Sequence, residues 1–245
     1  MGDYDFVSDN AKELRGRVEA AAARAGRDAA GVELMAVTKF HPVEAALAAY
    51  EAGFRLFGES RVQEAEGKFP AFLAARPDAR LEMIGNLQSN KAKKAAQLFS
   101  RVQSVDSPEI LRELGKRARQ AGRRLEILFE LHTGEESKAG FPDADSLYRA
   151  AELAAELERA AAAAGEGAGL ELRGLMTMAP YTRDEAPIRA SFRSLRAAME
   201  GLASRFSFKR LDVLSMGMTN DFEIAVEEGS TLLRVGTALF GSRAP

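Results

Sequence analysis

Cysteine and tryptophan are absent from the chain, and histidine occurs only as His41 and His132. The first absence excludes disulfides, thiolate nucleophiles and cysteine-based metal centres. Two histidines are too few for a histidine-rich zinc centre. Neither belongs to a serine–carboxylate pattern of the kind a hydrolase triad needs. No apolar run approaches the ~20 residues that span a bilayer. An excess of one charge is missing too: 34 basic against 36 acidic residues leave a net −2. That balance provides no footprint for nucleic acid or an anionic membrane. The start, Met1 to Phe6, is acidic and has no apolar signal core, and Phe6 breaks the myristoylation pattern. The expectation is a cytoplasmic protein with no metal, nucleic-acid or membrane partner.

What is present is the composition of an ordinary globular protein, 46% hydrophobic and 29% charged over 245 residues. That length is close to the ~250 residues of one α/β barrel. Leu14, Val18, Ala21, Ala22 and Ala25 recur at helical spacing up to Gly26 and predict a leading helix within residues 1–30. Strands are then expected at 32–39, 54–60, 81–85, 101–106, 125–131, 172–177, 211–214 and 232–236. The segments between them, at 42–53, 62–73, 88–99, 108–122, 144–164, 188–206, the short run before Gly229 and the run from Thr237, read as helices. Thr219 or Asn220 would cap the short one, and the glycines of 165–169 form a flexible connector. Eight alternating pairs after one leading helix predict a (β/α)8 TIM barrel, a single domain over 1–245. An open doubly wound sheet is disfavoured, because no GxGxxG or Walker pattern follows any strand.

Strand one ends in Val37-Thr38-Lys39, and Phe40-His41-Pro42 then breaks the chain. A lysine at a buried strand end has two readings. Burial can push its pKa down and leave an amine able to form a Schiff base with a carbonyl, or it can snorkel into a solvated loop. In a barrel the strand carboxyl ends share one face, so Lys39 stands with the other loops there. Two of those loops carry glycine and hydroxyl groups: Ser215-Met216-Gly217-Met218-Thr219 after strand seven, and Gly236-Thr237 after strand eight. Barrels frequently hold phosphate in this pair of loops, although tight turns and helix caps would use the same residues. Arg234 lies inside the last strand and needs a partner. Candidates are Asp212, Asp106 or an acceptor on a ligand, such as a ring nitrogen. Together these groups describe a pocket for pyridoxal phosphate.

The motifs Ala36-Val37-Thr38-Lys39, Phe57-Gly58-Glu59, Ile84-Gly85-Asn86-Leu87-Gln88-Ser89-Asn90-Lys91 and Ser104-Val105-Asp106 resemble the pyridoxal-phosphate-binding homeostasis proteins. So do Gly134 to Gly140, Gly174-Leu175-Met176-Thr177, Leu214 to Met218 and Arg234 to Gly241, which extends the match over nearly the whole chain. That family is a single barrel related to the amino-terminal domain of alanine racemases. The resemblance implies that Lys39 holds pyridoxal 5'-phosphate as an internal aldimine. It implies that Ser215, Gly217, Gly236 and Thr237 hold the phosphate, that Met216 and Met218 are further cofactor-binding residues, and that Arg234 faces the pyridine nitrogen. The family usually has asparagine after Phe-Gly-Glu. Here the residue is Ser60, so only a shorter hydroxyl contact is expected there.

Three functions follow from these residues. The first is a carrier that stores, buffers or delivers pyridoxal phosphate to PLP-dependent apoenzymes, without turnover and as a monomer. The second is a racemase-like enzyme. It would need a second base, which the racemases take from a further domain that this chain is not expected to build after Pro245. The third is a Schiff-base aldolase using Lys39 without a cofactor, which would be colourless. Lys91, Lys93 and Lys94 read as a solvated helix face. Met176, Met178, Met216 and Met218 read as pocket wall and core. Glu135, Glu136 and Lys138 read equally as a lid or a charged loop.

Overall fold

The apolar runs become eight parallel strands: β1 (Glu33–Val37), β2 (Leu56–Glu59), β3 (Arg80–Met83), β4 (Arg101–Val105), β5 (Arg124–Glu130), β6 (Gly169–Met176), β7 (Val213–Ser215) and β8 (Leu232–Val235). In the computed structural model, which describes residues 4–134, 139–163, 165 and 169–241, they pair in chain order and β8 closes on β1. The closing register sets Met35 beside Arg234 and Ala36 beside Val235. Helices α1 (Val7–Arg24), α2 (Val43–Glu51), α3 (Val62–Ala75), α4 (Ala92–Leu98), α5 (Pro108–Gln120), α6 (Ala144–Ala163), α7 (Glu185–Arg205), α8 (Phe222–Glu227) and α9 (Thr237–Phe240) complete the order. This is the (β/α)8 barrel with the expected leading helix. None of the described helices is long and apolar enough to cross a membrane.

Period-two alternation divides each strand between two cores. Outward side chains such as Ala36, Phe57, Leu81, Leu214 and Leu233 join the large core under the helices. Met35, Val37, Leu56, Leu128, Met176, Val213 and Leu232 form a second, smaller cluster that fills the barrel lumen. Gly58 faces this lumen, where an added Cβ would lie 2.5 Å from the Met35 sulfur. The amino-terminal end of the lumen is charged. Arg101 pairs with Glu82 at 2.9 Å and with Glu126, while Arg173 joins Glu126 to Asp212.

Boundaries shift where local chemistry outweighs pattern. Pro42 is the N-cap of α2 rather than its first residue. Helix α3 continues through Pro70 to Ala75. The segment after β3 begins as a 3-10 turn at Ser89–Lys91 before α4. Helix α7 starts three residues before Ile188, because the Asp184 side chain accepts the Ala186 amide at 3.0 Å. Pro187 is tolerated there, since first-turn amides have no intrahelical acceptor. Asp221, rather than Thr219 or Asn220, stands at the start of α8.

Candidate functional site

A pocket of about 280 Å3 opens at the carboxyl ends of the strands. It is lined by Val37 and Lys39 from β1 and its loop, Met178 to Thr182 after β6, Met218 to Asp221 after β7, and Arg234, Gly236 and Thr237 from β8 and its loop. Lys39 is half-buried and continues the inward parity of Met35 and Val37, which aims it at the ligand face. Pocket size, a lysine and a buried cation suit a compact anionic molecule at the lower end of the usual range of ~300–1,000 Å3.

Arg234 forms the floor. Its Nη1 donates to Ser215 Oγ at 2.6 Å and its Nη2 to the Thr177 carbonyl at 2.7 Å. Those two bonds use two of the five N–H groups of a guanidinium. Burial pushes its pKa down to about 10, while Asp221 and Glu130 pull it back up. It is therefore charged at neutral pH. Neither carboxylate suggested by the sequence is its partner: Asp212 pairs with Arg173, and Asp106 accepts from Asn86 at 3.0 Å.

Ser215 differs from expectation. It is fully buried and lies beneath the pocket, outside its lining. Its hydroxyl accepts from Arg234 and donates to Gln103 Oε1 at 2.6 Å, and Gln103 Nε2 donates to Glu82 Oε2 at 2.6 Å. A directed chain therefore runs from the pocket floor down the lumen to the Glu82–Arg101 pair. Arg234 can only donate, since a guanidinium has no acceptor, so each donor in the chain points away from it.

Met216 is fully buried in the outer core and does not line the pocket. Gly217 has φ +98°, and a Cβ there would meet Ala225 Cβ at 2.5 Å; its carbonyl accepts the Arg234 amide at 3.0 Å. Glycine is thus required by the turn and its packing rather than by ligand approach. Ser60 also lies off the lining and packs on Gly85, where a Cβ would fall 2.8 Å from Ser60 Cα. The structure brings together Lys39, Met218, Arg234, Gly236 and Thr237. It sets Ser60, Ser215, Met216 and Gly217 around or below them.

Thr219 ends the loop that the sequence flagged, whereas Asp221 and Ala179 to Thr182 escaped sequence reasoning. Thr219 Oγ1 accepts the Ala238 amide at 3.1 Å and so ties the two loops together. Asp221 is 8% exposed and accepts the Met218 amide at 2.6 Å. Burial pushes its pKa up, against the Met218 amide and the Arg234 charge. His41 stacks on Phe240 with ring centroids 4.9 Å apart, and Tyr181 stands at the mouth, 94% exposed. The signal for the Met178–Thr182 loop was its place after strand six. Residues Glu135 to Lys138, a possible lid, lie outside the described residues, as do Met1 to Asp3 of the amino terminus and 166–168 of the connector. Among the described residues, no group of histidine, aspartate or glutamate is arranged to hold a metal.

These features define a class: the alanine racemase amino-terminal domain, whose family model matches residues 10–244. Within that class the chain belongs to the pyridoxal phosphate homeostasis proteins. It is 36% identical to the "Pyridoxal phosphate homeostasis protein" of Vibrio cholerae, over 97% of this chain and 96% of that one. A solved structure of PipY from Synechococcus elongatus, with PLP bound, is 36% identical with a TM-score of 0.77. That alignment covers 92% of this chain and 100% of PipY. The alanine racemase of Streptomyces lavendulae shares the fold at 24% identity and TM-score 0.69, and this chain spans 58% of it.

Proposed function

We propose that this chain binds pyridoxal 5'-phosphate in the strand-end pocket and takes part in its homeostasis by storing, buffering or delivering it. The observation that carries the reading is Lys39 and the charged Arg234 lining one small pocket with the loops after β7 and β8. When bound, the cofactor would supply an aldehyde able to take up an amine covalently. Lys39 provides that amine at the end of β1. Arg234, held by Ser215 and Thr177, would donate to the ring nitrogen. Thr219, Asn220, Gly236 and Thr237 would hold the phosphate, with hydroxyls and first-turn amides that favour an anion. The likeness to the homeostasis protein and to PLP-bound PipY supports the same ligand.

The site is suited to holding the cofactor rather than to turnover. A guanidinium at the ring nitrogen yields no full proton, which weakens the ring as an electron sink. Asp221 is committed to the Met218 amide, and Tyr181 stands exposed at the mouth. A wet reactive face gains little electrostatic help. The same openness suits handing the cofactor to PLP-dependent apoenzymes. Large exposed hydrophobics among the described residues are Phe6, Phe40 and Tyr181, a scatter that supports a monomer.

The test is reconstitution followed by borohydride reduction and peptide mass analysis, with amino-acid α-proton exchange measured in heavy water on the same sample. The expected result is cofactor on Lys39, absent in a folded Lys39→Ala variant, and negligible exchange. Cofactor trapped on Lys91 or Lys138 would overturn the site. Exchange at ~1 s⁻¹ or faster, an ordinary enzyme rate, would favour the racemase-like reading.

A further inference from the structure

Lys39 lies in a turn whose backbone is unfavourable for its sequence. Phe40 has φ +64°, and it is the non-glycine residue with positive φ among the described residues. Such a conformation is rare for a bulky side chain and persists only where its surroundings enforce it. The His41 amide closes the turn on the Thr38 carbonyl at 3.0 Å, with Lys39 and Phe40 at the two central positions. Lys39 therefore points where it does only while Phe40 stays left-handed.

The enforcing group is on another element. Lys68 of α3 has a side chain only 7% exposed. Its Nζ reaches the Thr38 carbonyl at 2.8 Å and the His41 carbonyl at 2.9 Å, one on each side of Lys39. It also meets Glu59 Oε1 at 2.6 Å and Glu64 Oε1 at 3.2 Å. Glu64, one helical turn before Lys68, accepts the Phe40 amide at 2.6 Å. Glu59, fully buried at the end of β2, also accepts the Thr38 hydroxyl at 2.6 Å. One ammonium and two carboxylates thus grip both flanking carbonyls, the central amide and the threonine hydroxyl. None of the three lines the pocket. A buried ion pair of this kind contributes little net stability but can specify one geometry.

We propose that Lys68, with Glu59 and Glu64, is the positioning residue for Lys39: it clamps the 38–41 turn in its left-handed form so that the Lys39 amine faces the pocket. The inference rests on the reading of Lys39 as the attachment point. Without the clamp, Phe40 relaxes out of its left-handed conformation and the Lys39 stem turns with it. Glycine at position 40 would adopt the same φ without strain and remove the need for the clamp.

The test uses Lys68→Met, Phe40→Gly and the double variant. Amide hydrogen exchange at residues 40 and 41 is read without cofactor, together with thermal melting. The rate of borohydride-trappable attachment at Lys39 is read after adding pyridoxal phosphate. Lys68→Met is expected to exchange at least tenfold faster at both amides and to attach at least tenfold more slowly. Adding Phe40→Gly should restore attachment at least threefold while the melting temperature stays low, because the Glu59 pair is still missing. A purely stabilising Lys68 would not separate those two readouts. Wild-type exchange and attachment in Lys68→Met would overturn the clamp, as would a double variant that recovers no rate. Lys68→Gln, which keeps N–H donors without the charge, carries the same test if Lys68→Met does not fold. If wild-type protein traps no cofactor on Lys39, the reading of the site falls. The exchange measurement, which needs no cofactor, still decides the clamp.

Discussion

Replacing Ser215 by alanine separates two descriptions of this pocket. A serine in a glycine–hydroxyl loop suggests a phosphate ligand, and its loss would then weaken cofactor binding and leave the empty protein unchanged. In the structure the hydroxyl instead bridges Arg234 Nη1 and Gln103 Oε1 at 2.6 Å each, with no exposure to solvent. Alanine leaves one guanidinium N–H and one amide oxygen buried without that partner. Each such group costs ~1–3 kcal/mol, so the cofactor-free protein should lose about 2–6 kcal/mol. For a chain of this size, at ~2–4 °C per kcal/mol, that is a fall of roughly 4–24 °C in melting temperature. Thr237, exposed at the mouth, is the control. Thr237→Ala should leave the empty protein within ~0.5 kcal/mol of wild type. It should also cost a charge-assisted bond of ~1.5–3 kcal/mol to phosphate, which is tenfold or more in affinity. Calorimetric melting of both variants without cofactor, followed by titration with pyridoxal phosphate, reads the two effects separately. An unchanged melting temperature in Ser215→Ala, joined to a tenfold loss of affinity, would refute the buried chain and return Ser215 to the phosphate.

Two further outcomes follow from charges away from the pocket. Arg101→Met strands Glu82, which has no exposed surface, and should cost ~3–5 kcal/mol in urea denaturation; adding Glu82→Met should recover most of it. A loss below ~1 kcal/mol in the single variant would mean that the lumen charges are solvated. Glu228 joins α7 to α8 through Arg193 at 2.9 Å and Arg189 at 3.2 Å, and these arginines hold its pKa below the ordinary carboxylate value despite burial. A lowered folded-state pKa means that the unfolded chain binds more protons in the interval between the two values. The stabilisation is therefore complete above the ordinary range near pH ~4.3 and is lost as pH falls through the folded value. Melting temperature should drop more steeply between pH 5 and 3 (~2 units) in wild type than in Glu228→Gln; parallel curves would remove Glu228 from the acid transition.

The barrel was legible in the chain because most of the strands are short, largely apolar runs, and because eight such runs alternate with helical segments. Lys39 was legible for a similar reason, as a lysine placed where a buried strand stops. Parity already put Ser215 on the same face as Val213 and Arg234 on the same face as Leu232. What parity does not specify is depth along the barrel axis, which depends on the stagger of strands far apart in sequence. That stagger lowers Ser215 beneath the pocket, where its partners Arg234 and Gln103 lie 19 and 112 residues away. It also joins Arg234 to the Thr177 carbonyl, 57 residues away, instead of to Asp212 or Asp106. Lys68 was invisible in the same way. In sequence it is one turn past Glu64 on a helix of ordinary amphipathic pattern, and only α3 packing beneath the first loop brings its ammonium to Thr38 and His41, 30 and 27 residues earlier. Local pattern determined which residues form strands and which stand at their ends. Closure of the barrel decided which of those residues face a ligand and which support them, because those contacts are set by distances across the lumen rather than along the chain.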